Sequence, residues 1–101
     1  MSAVKHVVLV AFKPGTTEKQ IEGFFKELRG MQKVIPGILD YMDGPYSSPE
    51  GLNKNFTHGL IITFKDAAAR NVYLPHPEHE RVKTLILPHV ADVIAFDFEV
   101  K

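Results

Sequence analysis

Residues 4–12 (Val-Lys-His-Val-Val-Leu-Val-Ala-Phe) constrain the fold more than any other stretch of this sequence. β-Branched residues dominate the run, which predicts a β-strand. Both of its alternating faces are largely apolar, and a strand of that kind must be covered on both sides. We therefore expect an interior strand of a layered domain, with both faces of its sheet covered.

A long amphipathic helix is predicted after this strand. Apolar residues recur at three- and four-residue steps between Ile21 and Ile35, a spacing that places them on one helical face. Thr17 and Gln20 fit a capping box at its start, and the Pro-Gly pair at 36–37 ends it. Such a helix buries its apolar stripe, so we expect it to cover one face of the sheet.

The remaining pattern alternates between short strands and helices. Residues 46–55 are rich in Ser, Pro, Gly and Asn and predict a loop. The order of elements is β-α-β-β-α-β, which predicts an α+β, ferredoxin-like fold: a four-stranded antiparallel sheet with helices on one face. The predicted elements are strands at 38–42, 56–65 and 93–100, a helix at 67–73 capped by Asp66, and a helix from Pro77 that Pro88 kinks or ends.

Length and composition limit the class of protein. The 101 residues predict one domain spanning 1–101. Twelve Lys and Arg balance twelve Asp and Glu, so neither nucleic acid nor an anionic membrane is expected as a partner. With no cysteine, disulfides, thiol nucleophiles and cysteine-ligated metals are excluded. No apolar run resembles a signal peptide or a membrane span, so a cytoplasmic protein is expected.

The alternation of side chains along each predicted strand assigns its residues to one or the other face of the sheet. Every second side chain points the same way, and we expect the bulkier set to face the helices. The smaller set would be exposed in a monomer, and an apolar patch across several strands usually marks an interface. We therefore predict a homodimer through the open sheet face. The bulky set is Val8, Val10, Phe12, Leu60, Ile62, Phe64, Phe96 and Phe98, and the small set is Val7, Leu9, Ala11, Ile61, Val93 and Ala95.

The candidate site begins with residues 73–79 (Tyr-Leu-Pro-His-Pro-Glu-His), which carry a phenol, two imidazoles and a carboxylate. Pro75 ends one helix, because it cannot continue a helix and disfavours helical backbone at the residue before it. Pro77 suits the first turn of the next helix. Tyr73 and His79 are therefore expected to face one hollow.

Two further histidines are predicted to join them. Alternation places His6 and His58 on the helix side of the sheet, among aromatic side chains, where a buried imidazole needs hydrogen-bond partners. With Tyr73 and His79 approaching from the helices, all four are expected to line one cavity. A buried polar network without a ligand is one alternative. Solvated histidines at a plain helix–loop–helix joint are another.

Four segments, which together span nearly the whole chain, resemble the stress-responsive dimeric α/β-barrel (Dabb) family. The resemblance implies a homodimer in which two ferredoxin-like sheets pack into a barrel. The segments are Val4-Lys5-His6-Val7-Val8-Leu9, Phe56-Thr57-His58, Tyr73-x-x-His76-Pro77-x-His79 and Ala95-Phe96-Asp97-Phe98.

The resemblance also implies a chemistry. An enzyme of this family closes a linear tetraketide thioester by aldol condensation without a cofactor. By similarity, His79 would be the catalytic general base and Tyr73 the group that orients the substrate, while His6 and His58 match substrate-binding histidines. This chemistry is sensible, because an imidazole can take a proton next to a carbonyl and a phenol can stabilise the resulting oxyanion.

The first helix departs from that enzyme. Phe24 and Leu28 fall in the stretch that matches its pocket, but Leu28 stands where the enzyme has a tyrosine, so a different substrate is expected. Three functions stay open: a cofactor-independent cyclase, isomerase or lyase acting on a small carbonyl compound, a non-catalytic stress-response binding protein, and a related monooxygenase. The last is least favoured, because the chain has no tryptophan and no haem pattern. No metal site is predicted, since Pro77 separates His76 from His79.

Overall fold

The first predicted strand lies inside the sheet, as its two apolar faces require. This computed structural model describes residues 2–101. The elements are β1 Val4–Phe12, α1 Glu18–Gly30, β2 Ile38–Pro45, β3 His58–Phe64, α2 Ala67–Tyr73, α3 Pro77–Ile86 and β4 Val90–Glu99, with 3₁₀ turns at Met31–Lys33 and Leu87–His89. The four antiparallel strands lie in the order β2-β3-β1-β4. The predicted ferredoxin-like fold is confirmed, with two consecutive helices between β3 and β4. No helix within 2–101 is long and apolar enough to cross a membrane.

The capping box at the start of α1 forms as predicted. The backbone N–H of Gln20 donates to the Thr17 hydroxyl at 3.1 Å, and the backbone N–H of Thr17 donates to the Gln20 side chain at 2.9 Å. Each bond satisfies a backbone donor that the first helical turn leaves free. The sequence pattern alone therefore locates where α1 begins.

Replacing Thr17 with alanine should lower the free energy of unfolding by about 1 kcal/mol, the usual cost of losing such a cap. Urea denaturation measures the change, and Thr17→Ser is the matched control because it keeps the hydroxyl. Equal unfolding midpoints for Thr17→Ala and wild type would show that the cap contributes nothing here.

Side-chain caps mark the starts of both α2 and α3. Asp66 accepts from the backbone N–H of Ala69 at 2.8 Å and begins α2. His76 accepts through Nδ1 from the backbone N–H of Glu78 at 3.0 Å, with Pro77 as the first residue of α3. Only residues 74–76 separate the end of α2 from the start of α3, so Tyr73 and the first turn of α3 lie close together.

The main core lies between the helices and the even-numbered positions of β1 and β3. Its most deeply buried side chains come from the helical layer as well as from the sheet, which explains why few apolar residues of β4 are needed there. Those with less than 2% exposure are Phe64, Met31, Ile35, Ile62, Val4 and Val82.

The predicted facing of β4 is wrong. The register pairs His6 with Asp97 and Val7 with Phe96, and paired residues share a face of the sheet. Phe96 and Phe98 therefore lie on the open face, 64% and 47% exposed, and not against the helices. Val93 and Ala95, predicted on the open face, lie on the helix side. The prediction placed the bulkier residues of β4 against the helices, but the helices and the other strands already fill the core there.

Candidate functional site

The structure brings His6, Tyr73 and His79 together beneath the helices. His6 projects from β1, Tyr73 is the last residue of α2, and His79 lies in the first turn of α3. The rings of Tyr73 and His79 stack with centroids 4.1 Å apart, and His6 meets Tyr73 edge-on at 5.6 Å. Tyr73 is 2%, His6 7% and His79 9% exposed. We call these three side chains, together with Asp97, which binds His6, and Arg70, which binds Asp97, the His6 cluster.

The hydrogen bonding of His79 defines its tautomer. Its Nδ1 lies 3.0 Å from the backbone carbonyl oxygen of Leu74. A carbonyl oxygen only accepts, so Nδ1 carries the proton and donates. In the neutral ring, Nε2 is then left with its lone pair. Burial lowers the pKa of His79 below its ordinary value, although the bond to Leu74 opposes this. At neutral pH the ring is therefore an uncharged base.

This lowered pKa makes stability depend on pH. Below about pH 6.5 the unfolded chain binds a proton on His79 more readily than the folded one does. The contribution of His79 to stability is thus present above that pH and is lost as the pH falls through the folded-state pKa. We expect wild type to lose stability relative to His79→Asn between about pH 7 and pH 5, measured by urea unfolding. Parallel pH curves for the two proteins would contradict this.

Tyr73 is suited to donate a hydrogen bond. Burial raises the pKa of its phenol well above the ordinary value, and the nearby Asp97 carboxylate raises it further. The phenol therefore keeps its proton at neutral pH. A neutral donor next to a neutral base is one arrangement that can support proton abstraction next to a carbonyl.

Asp97 and Arg70 complete the His6 cluster, and neither was predicted as a site residue. Asp97 accepts from His6 Nδ1 at 2.5 Å through one carboxylate oxygen and from Arg70 at 2.8 Å through the other. Although burial opposes ionisation, the bonds from Arg70 and His6 hold the pKa of Asp97 below its usual range. The available signal was a lone carboxylate in the apolar strand Phe96-Asp97-Phe98, which the wrong facing of β4 concealed.

His58 lies apart from the other three predicted site residues. It pairs with Val10, four residues along β1 from His6, so the two histidines are offset by about 13 Å along the strand direction. Its ring stacks on Phe25 at 5.4 Å and meets Phe12 edge-on at 5.5 Å. His58 therefore lies on the predicted face but towards the other end of β1 from His6, and that all four residues line one cavity stays a prediction.

The two predicted pocket residues of α1 divide between these regions. Phe24 packs on Phe12 at 6.1 Å and on His89 at 5.1 Å, so it belongs with His58. Leu28, one turn further along the helix, is half-buried against the main core. Phe24 and Phe25 of α1 therefore lie in the same region as His58, whereas Leu28 packs against the main core.

Two hollows open on the surface. One, of about 460 Å³, lies on the open sheet face beside the 46–57 loop and is lined by residues that include Leu9, Met42, Tyr46, Phe56 and Ile61. The other, of about 570 Å³, is a groove between α1 and the end of β2, which we call the α1 groove; its lining includes Phe25, Arg29, Asp43, Pro45 and His58. His58 borders both hollows, whereas Tyr73 and His79 border neither.

The two histidines of the 73–79 segment each bind the backbone through Nδ1. His76 uses Nδ1 to cap α3, and His79 uses Nδ1 to bind the carbonyl of Leu74. Within residues 2–101, no group of three His, Cys, Asp or Glu side chains is placed to hold a metal ion.

The fold and the site together define a ferredoxin-like domain with buried histidines and a tyrosine under its helices. The stress-responsive A/B barrel domain (Dabb) family matches residues 4–100, and the chain belongs to that family. It is 30% identical over 96 residues to the stress-response A/B barrel domain-containing protein HS1 of Arabidopsis thaliana, covering 95% of this chain and 88% of that protein. It is 32% identical over 77 residues to olivetolic acid cyclase of Cannabis sativa, covering 76% of each.

Solved structures share the same fold. A protein from Jannaschia, described as a dimeric ferredoxin-like protein of unknown function, superposes with a TM-score of 0.86 at 24% identity, covering 97% of this chain and 99% of that one. At this identity the likeness establishes the fold and not the activity. The ferredoxin-like architecture predicted from the order of elements is therefore found in a solved neighbour.

Proposed function

We propose that this chain is a small-molecule-binding protein whose His6 cluster transfers protons on a small carbonyl compound without a cofactor, as a cyclase, isomerase or lyase does. The observation that supports this most directly is the pairing of a neutral His79, whose Nε2 is free, with a protonated Tyr73 at 4.1 Å between ring centroids. The relationship to a protein named as a cyclase supports the same chemistry.

The proposed step involves two groups of the chain. His79 Nε2 takes the proton from the carbon next to the carbonyl, the C–H electron pair forms a C=C bond, and the π pair of the C=O bond moves onto the oxygen. Tyr73 donates a hydrogen bond to that oxygen as it becomes an enolate. His6, held by Asp97 and Arg70, fixes the position of Tyr73 from the sheet side. The enolate carbon can then attack a second carbonyl or regain a proton.

The open sheet face supports a homodimer as the functional form. It carries an apolar surface that crosses all four strands, and a monomer would leave it in water. Related proteins of this fold are described as dimers. We propose that a second copy covers this face, sheet against sheet. The exposed large side chains on it are Leu9, Met42, Ile94, Phe96 and Phe98.

A non-catalytic stress-response binding protein is the second candidate. The observation that favours it is the burial of the cluster, since His6, Tyr73 and His79 are each at most 9% exposed and border neither surface hollow. The related stress-response protein of Arabidopsis thaliana supports the same alternative. In that case the cluster would hold a ligand, or stabilise the fold, without turnover.

Deuterium exchange separates the two candidates. The probe is a short acyl thioester, S-ethyl butanethioate, incubated with the protein in D₂O and followed by NMR. Protein-dependent deuteration next to the carbonyl supports catalysis. Saturation transfer from the protein to the thioester without deuteration supports the binding protein. If neither occurs, a carbonyl compound of this kind is not the ligand and the proposal fails.

A further inference from the structure

The open sheet face is uneven, and the strand register shows where it is recessed. At one level of the sheet, β2 and β3 present the paired glycines Gly44 and Gly59, whereas β1 and β4 present Leu9 and Ile94. The Leu9 side chain leans over Gly59, where an added Cβ would lie 3.2 Å from it, but a Cβ added at Gly44 would meet no atom within 4 Å. The hollow of about 460 Å³ on this face, which we call the open-face hollow, includes Gly44 in its lining.

The protruding side chains of the open face lie along β4, at the opposite edge of the sheet from the recess. Ile94, Phe96 and Phe98 are 45%, 64% and 47% exposed. Ile94 stands at the same level of the sheet as Gly44, because both belong to the row of residues paired through Leu9 and Gly59. The face therefore carries a recess at its β2 edge and a matching projection at its β4 edge.

Two copies that pack face to face are related by a two-fold axis in the plane of their interface. For aligned sheets this axis runs either parallel or perpendicular to the strands. The strands lie in the order β2-β3-β1-β4. A parallel axis reverses this order, so β4 of one copy lies over β2 of its partner and each residue keeps its level. A perpendicular axis leaves the order unchanged and lays every strand over its own counterpart.

The shape of the face favours the parallel axis. With that axis, Ile94 of one copy lies over Gly44 of the partner subunit, and the projecting side chain enters the open-face hollow. With the perpendicular axis, β4 would meet β4, so the exposed Phe96 and Phe98 would oppose their own counterparts and no side chain of β4 would reach the hollow. The cores of stable interfaces are packed as densely as protein interiors, which the first arrangement alone allows.

The charges of the open face favour the same axis. Lys5 of β1 and Asp40 of β2 both pair with Thr63 of β3, so the three stand at one level. Lys5 Nζ donates to the Thr63 hydroxyl at 2.8 Å, but neither Lys5 nor Asp40 forms an ion pair within residues 2–101. The parallel axis lays Lys5 over β3 of the partner, next to Asp40 of the partner subunit. A charge enclosed between two sheets requires such a partner.

We propose that two copies of this chain associate about a two-fold axis parallel to the strands and centred between β1 and β3. Ile94 fills the open-face hollow over Gly44 of the partner subunit, and Lys5 pairs with Asp40 of the partner subunit. The inference rests on the homodimer of the proposed function and adds its symmetry and the contacts that determine it. Each contact occurs twice, so the face is complementary to a second copy of itself.

Charge complementation between two chains tests the ion pair. Lys5→Glu and Asp40→Lys each place like charges opposite one another twice, so each should raise the dissociation constant of its homodimer at least about 10-fold. Mixed in equal amounts, the two variants present opposite charges at both contacts and should form a heterodimer with a dissociation constant near that of wild type. Sedimentation measures the constants, and ¹⁵N labelling of one chain lets native mass spectrometry distinguish the heterodimer from both homodimers.

Lys19→Glu is the matched control for the mixture. Lys19 is exposed on α1, on the other side of the sheet, and its replacement changes the net charge by the same amount as Lys5→Glu. Mixed with Asp40→Lys, it should give no more than the statistical half of heterodimer. A heterodimer that forms equally well with Lys19→Glu would show that overall charge and not the Lys5 contact drives the pairing.

A second pair of variants tests the shape of the face and does not depend on the charged residues. Gly44→Leu has room in the single chain, but it should weaken the homodimer because its side chain occupies the space of Ile94 from the partner. Ile94→Ala should weaken the homodimer by leaving the open-face hollow empty. An equal mixture of the two should restore association, since the larger residue then faces the smaller one and the native contact remains on the other side.

The outcomes separate this inference from the proposed function. If the single variants dissociate but neither mixture yields more than the statistical half of heterodimer, the homodimer stands and the proposed axis is wrong. If the single variants dimerise as wild type does, the interface lies elsewhere. A wild-type monomer at micromolar concentration overturns the homodimer and this inference together. Deuterium exchange at the His6 cluster is measured separately and decides the proposed chemistry in every case.

Discussion

Replacing His79 with asparagine is expected to lower the protein-dependent rate of deuterium exchange next to a carbonyl by about 10²–10⁴-fold, the usual contribution of a general base. Asparagine is chosen because its side-chain N–H can still donate to the carbonyl of Leu74, as Nδ1 of the imidazole does at 3.0 Å. What it removes is the lone pair of Nε2. The measurement is the exchange of S-ethyl butanethioate in D₂O at equal protein concentrations.

The stability of this variant is a necessary control. His79 is 9% exposed and stacks on Tyr73 at 4.1 Å, so the imidazole also contributes to the packing of the fold. Losing that contact should cost about 0.5–1.5 kcal/mol, the usual value of an aromatic pair. Exchange rates are therefore compared where circular dichroism shows both proteins folded. A folded His79→Asn protein with the wild-type rate would exclude His79 as the base.

Tyr73→Phe is the companion variant and should have a smaller effect, about 10²-fold, as expected for one donor to a developing oxyanion. Phenylalanine keeps the ring that packs on His6 and His79, so a loss of rate can be assigned to the hydroxyl. If Tyr73→Phe exchanges at the wild-type rate while His79→Asn does not, the base is correct and the oxyanion donor lies elsewhere.

The parts of the site that follow from short stretches of sequence could be predicted. Two prolines at 75 and 77 set the ends of neighbouring helices, and this local geometry brings Tyr73 next to His79. The capping pair at Thr17 depends on residues only three apart. In each case the interacting groups are close in the chain, so the local sequence pattern determines their relative positions.

The parts that depend on strand register could not be predicted. The partners of His6 are Asp97, 91 residues away, and through it Arg70. Which face Asp97 occupies is decided by its pairing with β1, and a shift of one residue would move it to the other side. The same limit applies to His58, whose face was predicted correctly but whose distance from His6 depends on the length of strand between them.

Replacing Leu9 with lysine is expected to convert the proposed homodimer into a monomer. Leu9 lies on the open face of the interior strand β1, between Gly59 and Ile94, and is 37% exposed in the single chain. In a sheet-to-sheet dimer it would be buried in both copies. An unpaired buried charge costs about 3–5 kcal/mol. The dissociation constant should therefore rise by at least about 10²-fold.

Light scattering during gel filtration measures the mass, and Val72→Lys is the matched control. Val72 is 51% exposed on α2, away from the open sheet face, so a lysine there should leave the dimer intact. The Leu9→Lys chain should also melt at a lower and less concentration-dependent temperature, because association no longer stabilises the fold. A wild-type monomer at micromolar concentration, or a Leu9→Lys protein that stays dimeric, would place the interface elsewhere and leave the exposed Phe96 and Phe98 without an explanation.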